Sequence, residues 1–238
     1  PETGFLVADG TGAGKSLMSL TVAKHFAAKG FSVLIVSKAE AFKFDYATRQ
    51  PTGTYAQWSK TFGVPLEGYV GPERDKFVTK LEPGKVYAAT YDTVYGMVPR
   101  ENPKKPGVWS KGSPGIAQLV DGNTVVIMDE AHSAKNSGGG AENRANAGVA
   151  MANKAGKVLM MTATPGDKPA HIQYLQRIGL LEGKSQDQQF TELGFKKKIT
   201  KGKDGKEVVT WNVDNQVGKR AVRARLDDLF NRLIANGQ

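Results

Sequence analysis

The chain predicts an α/β fold, a mostly parallel sheet with helices on both faces, and three observations carry that expectation. Short runs that are nearly all apolar recur at 5–8, 32–37, 86–90, 125–128 and 157–161, as parallel strands do when both of their faces are covered. Helix-patterned stretches fall between them; Met18, Val22 and Phe26 are spaced four apart, which places them on one face of a helix. A glycine-rich turn, Asp9-Gly10-Thr11-Gly12-Ala13-Gly14-Lys15-Ser16, joins the first strand to the first helix.

Each further element has its own signal. Gly30 offers the first helix a C-terminal stop. Helices are predicted at 55–62 and 72–81, the second closed by Pro83-Gly84. Residues 98–115 are rich in Pro, Gly and Lys, with Arg100, Lys104, Lys105, Trp109 and Lys111, and read as a long loop, either functional or a solvated excursion. From about Ser185 the character changes. Residues 195–200 and 208–211 flank Lys203-Asp204-Gly205-Lys206, whose DG pair predicts a lysine-rich hairpin. Val222, Leu226, Leu229 and Leu233 then mark an amphipathic helix with Arg220, Arg223 and Arg232 on its other face. That helix packs on this domain, on another domain or on nucleic acid; an apolar stripe favours packing. The predicted organisation is one α/β domain over 1–182 and a basic extension over 183–238.

Composition narrows the function. With 238 residues and no cysteine, disulfides and thiolate metal sites are excluded, which fits a reducing compartment. The mean hydropathy is −0.39, and no run approaches the length of a membrane span or resembles a secretion signal. A cytoplasmic, unexported protein without a membrane partner is the expectation. The net charge of +10 favours a polyanionic partner, with nucleic acid foremost.

Three strand ends carry the chemistry. The glycine turn reads as a phosphate cradle: several backbone N–H groups converge on one anion, and the following helix adds its positive end. The backbone of Thr11, Gly12, Ala13 and Gly14 would line it. Lys15 would reach the terminal phosphates of a nucleotide and Ser16 would hold magnesium. The usual pattern has Gly where this chain has Asp9, and a plain glycine turn with a surface lysine is the alternative. The second strand end is Asp129-Glu130-Ala131-His132. In a parallel sheet, ligands gather at the strands' C-terminal ends, so Asp129 could hold magnesium and Glu130 could orient and deprotonate water. Two acids capping a helix would look the same. The third is Thr162-Ala163-Thr164-Pro165, hydroxyls at that same edge or simple turn chemistry.

Together, in this order, these motifs resemble the first RecA-like motor domain of superfamily 2 helicases and translocases, over roughly residues 4–182. The runs Ala8-Asp9-Gly10-Thr11-Gly12, Asp129 to Asn136 and Tyr174 to Leu180 are most similar to the strawberry notch group, which is related to Swi/Snf-type remodellers and has phage and antirestriction relatives. Members of the superfamily commonly lack the first glycine of the phosphate loop. The resemblance implies ATP and magnesium as cofactors and hydrolysis coupled to movement along, or remodelling of, nucleic acid, DNA rather than RNA. It implies that Lys15, Asp129 and Glu130 are catalytic, that Ser16 and Asp129 hold magnesium, and that His132, Thr162 and Thr164 couple the nucleotide to the nucleic-acid path. It places Ser37, Lys38 and Thr90 against a phosphate backbone. A packaging-type P-loop ATPase and a non-catalytic nucleic-acid-binding scaffold with the motor fold are the alternatives.

The family closes two RecA-like domains over ATP, the second supplying arginines, and no second alternation of strands and helices follows Pro165. An arginine finger is worth ~10³–10⁵ in rate, so this stretch alone is expected to bind ATP and hydrolyse it poorly.

Overall fold

The computed structural model describes residues 4–7, 14–45, 47–48, 50–68, 80–91, 94, 98–102, 105–113, 116–131, 148, 151–162, 185–201, 207–213 and 216–235. Its centre is a six-stranded sheet of β1 (Gly4–Val7), β2 (Ser32–Ser37), β5 (Leu66–Gly68), β6 (Val86–Thr90), β9 (Thr124–Asp129) and β10 (Lys157–Met161), in the order β1-β10-β9-β2-β6-β5. All five pairings are parallel. Every strand therefore delivers its C-terminal end to one edge, where ligands of such sheets bind.

Side chains alternate between the two sheet faces, and the core divides accordingly. On one face Val33, Ile35, Val125, Ile127, Leu159 and Met161 pack with Leu20 of α1 (Lys15–Ala28) and Tyr55 of α2 (Thr54–Phe62). On the other, Leu34, Val36, Val126, Met128 and Met160 share a core with Phe190 of α3 (Gln186–Glu192) and Val222 and Leu226 of α4 (Gln216–Ala235). Helices thus cover both faces, as the nearly continuous apolar strands require. Val222 and Leu226, the first two residues of the predicted stripe, lie in this same core.

Local signals account for the helix ends. α1 stops at Gly30 (φ +84°), with the N–H groups of Gly30 and Phe31 donating back to Ala27 and Phe26, the left-handed stop expected of glycine. α2 starts at Gly53, where an added Cβ would lie 2.4 Å from the Lys43 nitrogen; only glycine lets the chain pass there. α3 opens with a capping box between Ser185 and Gln188, although nothing in the apolar pattern marks that helix.

Two expectations change. Within the stretch expected to be a loop, β7 (Val98–Asn102) pairs antiparallel with β8 (Lys105–Ser113). Its Pro, Gly and Lys residues hide a ladder that is interrupted by two register shifts, and such irregularities erase the period-two alternation that marks a strand. Two short strands, β3 (Phe44–Asp45) and β4 (Gln50–Pro51), also pair without a signal of their own. The helix expected at 72–81 lies outside the described residues except for Lys80 and Leu81, which are not helical. The C-terminal hairpin consists of β11 (Lys196–Lys201) and β12 (Glu207–Asn212). No helix among the described residues is long and apolar enough to cross a membrane.

Candidate nucleotide site

Of the glycine turn, residues 14–16 are described, and Thr11, Gly12 and Ala13 lie outside the described residues. Gly14 is left-handed (φ +77°) and forms the N-cap of α1 without any side-chain cap. The first turn of α1 holds no acid. No acid of its own first turn competes for its N-terminal N–H groups and positive dipole end, an arrangement that can bind a phosphate. Lys15 is buried, at 7 % exposure, and Ser16 is half-buried.

Asp129 ends β9. β10 lies between β1 and β9, and Thr162 follows β10. The Thr162 N–H donates to the Val7 carbonyl at 3.0 Å and the residue is fully buried. Lys15, Ser16, Asp129 and Glu130 line one cavity of about 580 Å³. Two motifs more than a hundred residues apart thus meet in one space.

The carboxylate of Asp129 is fixed on both sides. Its Oδ2 accepts from the Ser37 hydroxyl at 3.0 Å and its Oδ1 from the Glu130 N–H at 3.0 Å. The Tyr91 hydroxyl donates to the Asp129 carbonyl at 2.7 Å. Burial raises the Asp129 pKa above the usual carboxylate value and the neighbouring Glu130 charge raises it further, while the Ser37 bond opposes both. An ionised group held at such a cost is suited to a cation. Glu130 has φ +50°, a left-handed conformation that costs a non-glycine residue about 1–2 kcal/mol. Strain of this kind persists where the surroundings dictate it and gathers at functional sites.

The other predicted positions sort as follows. Ser37 is 1 % exposed, so its hydroxyl serves the Asp129 carboxylate. Lys38 is exposed and lines the same cavity. Thr90 is half-buried and pairs with Ser37 across β2 and β6. His132 and Thr164 lie outside the described residues, as do 133–136 and 174–180.

Sequence reasoning missed Tyr55 and Ser19. Tyr55 is fully buried; its hydroxyl donates to Ser19 Oγ at 2.8 Å, and Ser19 Oγ in turn donates to the Lys15 carbonyl at 2.8 Å. Burial, and then the Asp129 charge, push the Tyr55 phenol well above its usual pKa. Asp129 and Ser16 also lie close enough to influence its titration. A tyrosine on an amphipathic helix gives no sequence sign of this role, since its apolar body alone explains its position.

A family model described as P-loop containing NTP hydrolase pore-1 matches residues 2–214. The chain belongs to this family of P-loop NTP hydrolases. No curated protein matches it. The family implies nucleotide binding, and the residues fit: a left-handed Gly14 at a helix N-terminus, a lysine lining the cavity and an oriented carboxylate.

Proposed function

We propose that the chain is the first RecA-like motor domain of a nucleic-acid-dependent ATPase of the superfamily 2 helicase and translocase kind, nearest in its motifs to the strawberry notch group. The observation that carries the reading is the shared cavity of Lys15, Ser16, Asp129 and Glu130 at the C-terminal edge of a parallel sheet, in a chain of net charge +10.

In this reading Lys15 neutralises charge on the terminal phosphates of ATP, and the backbone at Thr11 to Gly14 cradles them. Ser16 and Asp129 would hold magnesium, which supplies electrostatic stabilisation of the transferring phosphoryl group. Glu130 orients the attacking water and takes its proton. Thr162, with Thr164 and His132, reports the nucleotide state to the nucleic-acid path and to a second RecA-like domain. Lys38 and Thr90 contact a phosphate backbone, preferentially of DNA. Buried Ser37, on the same strand end, links that contact to Asp129 through its hydrogen bond. The cytoplasm of a bacterial or phage-infected cell is the matching location.

The test is ATP turnover by the complete protein over a panel of duplex and single-stranded DNA and RNA. Turnover stimulated several-fold by at least one of them is the expected result. Turnover indifferent to all of them would favour another P-loop ATPase class, such as a packaging motor, and an absence of ATP binding would favour a scaffold.

A further inference from the structure

None of the described residues of the β11–β12 ribbon lines the nucleotide cavity. Its root is fixed. Phe190 meets Phe195 at 6.0 Å and Trp211 at 5.2 Å between ring centroids, both phenylalanines are buried in the core shared with Leu34 and Val126, and Lys197 pairs with Asp187 while lying over the Trp211 ring. Beyond that root all six residues of β11 are exposed. Ile199 and Val209 stand directly opposite one another at 55 % and 46 % exposure.

Charge is concentrated in this arm. Residues 196–212 carry six lysines against Asp204 and Glu207, a net of +4 within the chain's +10. Lysines this close repel one another, and exposed charges contribute little to folding even when paired. The described residues of the arm bury little beyond its root, so fold stability does not explain its composition. A polyanion does.

We propose that the ribbon grips the phosphate backbone of a nucleic-acid duplex, through Lys196 and Lys198 on one face and Lys201 on the other, with the Ile199–Val209 pair set against the sugars. A two-stranded ribbon fits a duplex major groove, which is about 12 Å wide and has phosphates on both walls. The duplex is preferred to a single strand because single-strand sites stack bases on exposed aromatic side chains. The ribbon's aromatic residue, Trp211, is half-buried against Phe190. Contacts of this kind read shape and charge, not sequence. The inference rests on the nucleic-acid reading above for its partner and on the ribbon for its place.

The test is fluorescence anisotropy of a short labelled DNA duplex with the full chain over a salt series, comparing the wild type with the combined Lys196→Gln, Lys198→Gln and Lys201→Gln variant. The variant is expected to bind at least about tenfold more weakly at low salt, with the slope of log affinity against log salt reduced by roughly 3, about 0.9 per lysine. Its melting temperature and nucleotide binding should match the wild type. A wild type that binds duplex together with a variant of equal affinity and slope overturns the ribbon's role and leaves the nucleic-acid reading standing. A wild type that binds no nucleic acid, in a complete protein whose turnover nucleic acid does not move, removes that reading itself.

Discussion

Two regions of this molecule handle charge in opposite ways. At the C-terminal edge of the sheet, Lys15 and Asp129 are buried at 7 % and 6 % exposure, Asp129 is held by two donors, and Glu130 is left-handed. On the ribbon, the charged residues of β11 stand in solvent. Removing an exposed charge costs the fold little, whereas the buried group is kept against desolvation. In the proposed reading the difference separates chemistry from attraction: the sheet edge serves one small, highly charged ligand, and the ribbon offers a field to a large one.

The contrast can be broken most strongly at Glu130. Glu130→Gln is expected to lower ATP turnover by ~10²–10⁴, the usual worth of a general base, while nucleotide affinity stays near wild type; single-turnover kinetics beside equilibrium binding checks both. Asp129→Asn removes a buried charge, so the ligand-free protein should melt at least as high as the wild type at neutral pH, and lose magnesium-dependent binding. The sign with pH follows from the raised pKa of Asp129. The folded state holds that proton more tightly than the unfolded chain does. The ionised carboxylate therefore destabilises above the raised value, and the penalty disappears as pH falls through it toward the ordinary carboxylate range. The melting difference between the two proteins should narrow over that interval.

Tyr55→Phe is a smaller probe. Loss of the bond to Ser19 costs about 1 kcal/mol. Because the nearby Tyr55 hydroxyl also lowers the Asp129 pKa, the acid limb of magnesium-nucleotide binding should move to higher pH. A limb that does not move would detach Tyr55 from the carboxylate.

Much of this was legible in the sequence because burial writes itself into pattern. Val125, Val126, Ile127 and Met128 are apolar without alternation since both faces of β9 are covered, and the acids that follow must then emerge at the sheet edge. What could not be read depends on side chains whose type fits a duller role. Ser37 looks available for an outside phosphate until the pairing of β2 with β9 turns its hydroxyl to Asp129. Tyr55 looks like core. β7 and β8 look like loop because their ladder is irregular and built from residues that seldom form strands.

The central claim is that Lys15 and the Asp129–Glu130 pair receive one magnesium-bound nucleoside triphosphate. Titration calorimetry of magnesium ATP into the wild type and into Lys15→Ala tests it directly. A saturable heat with one site per chain that is lost in the variant is the predicted result; no heat from the wild type, or equal heat from both proteins, would contradict it.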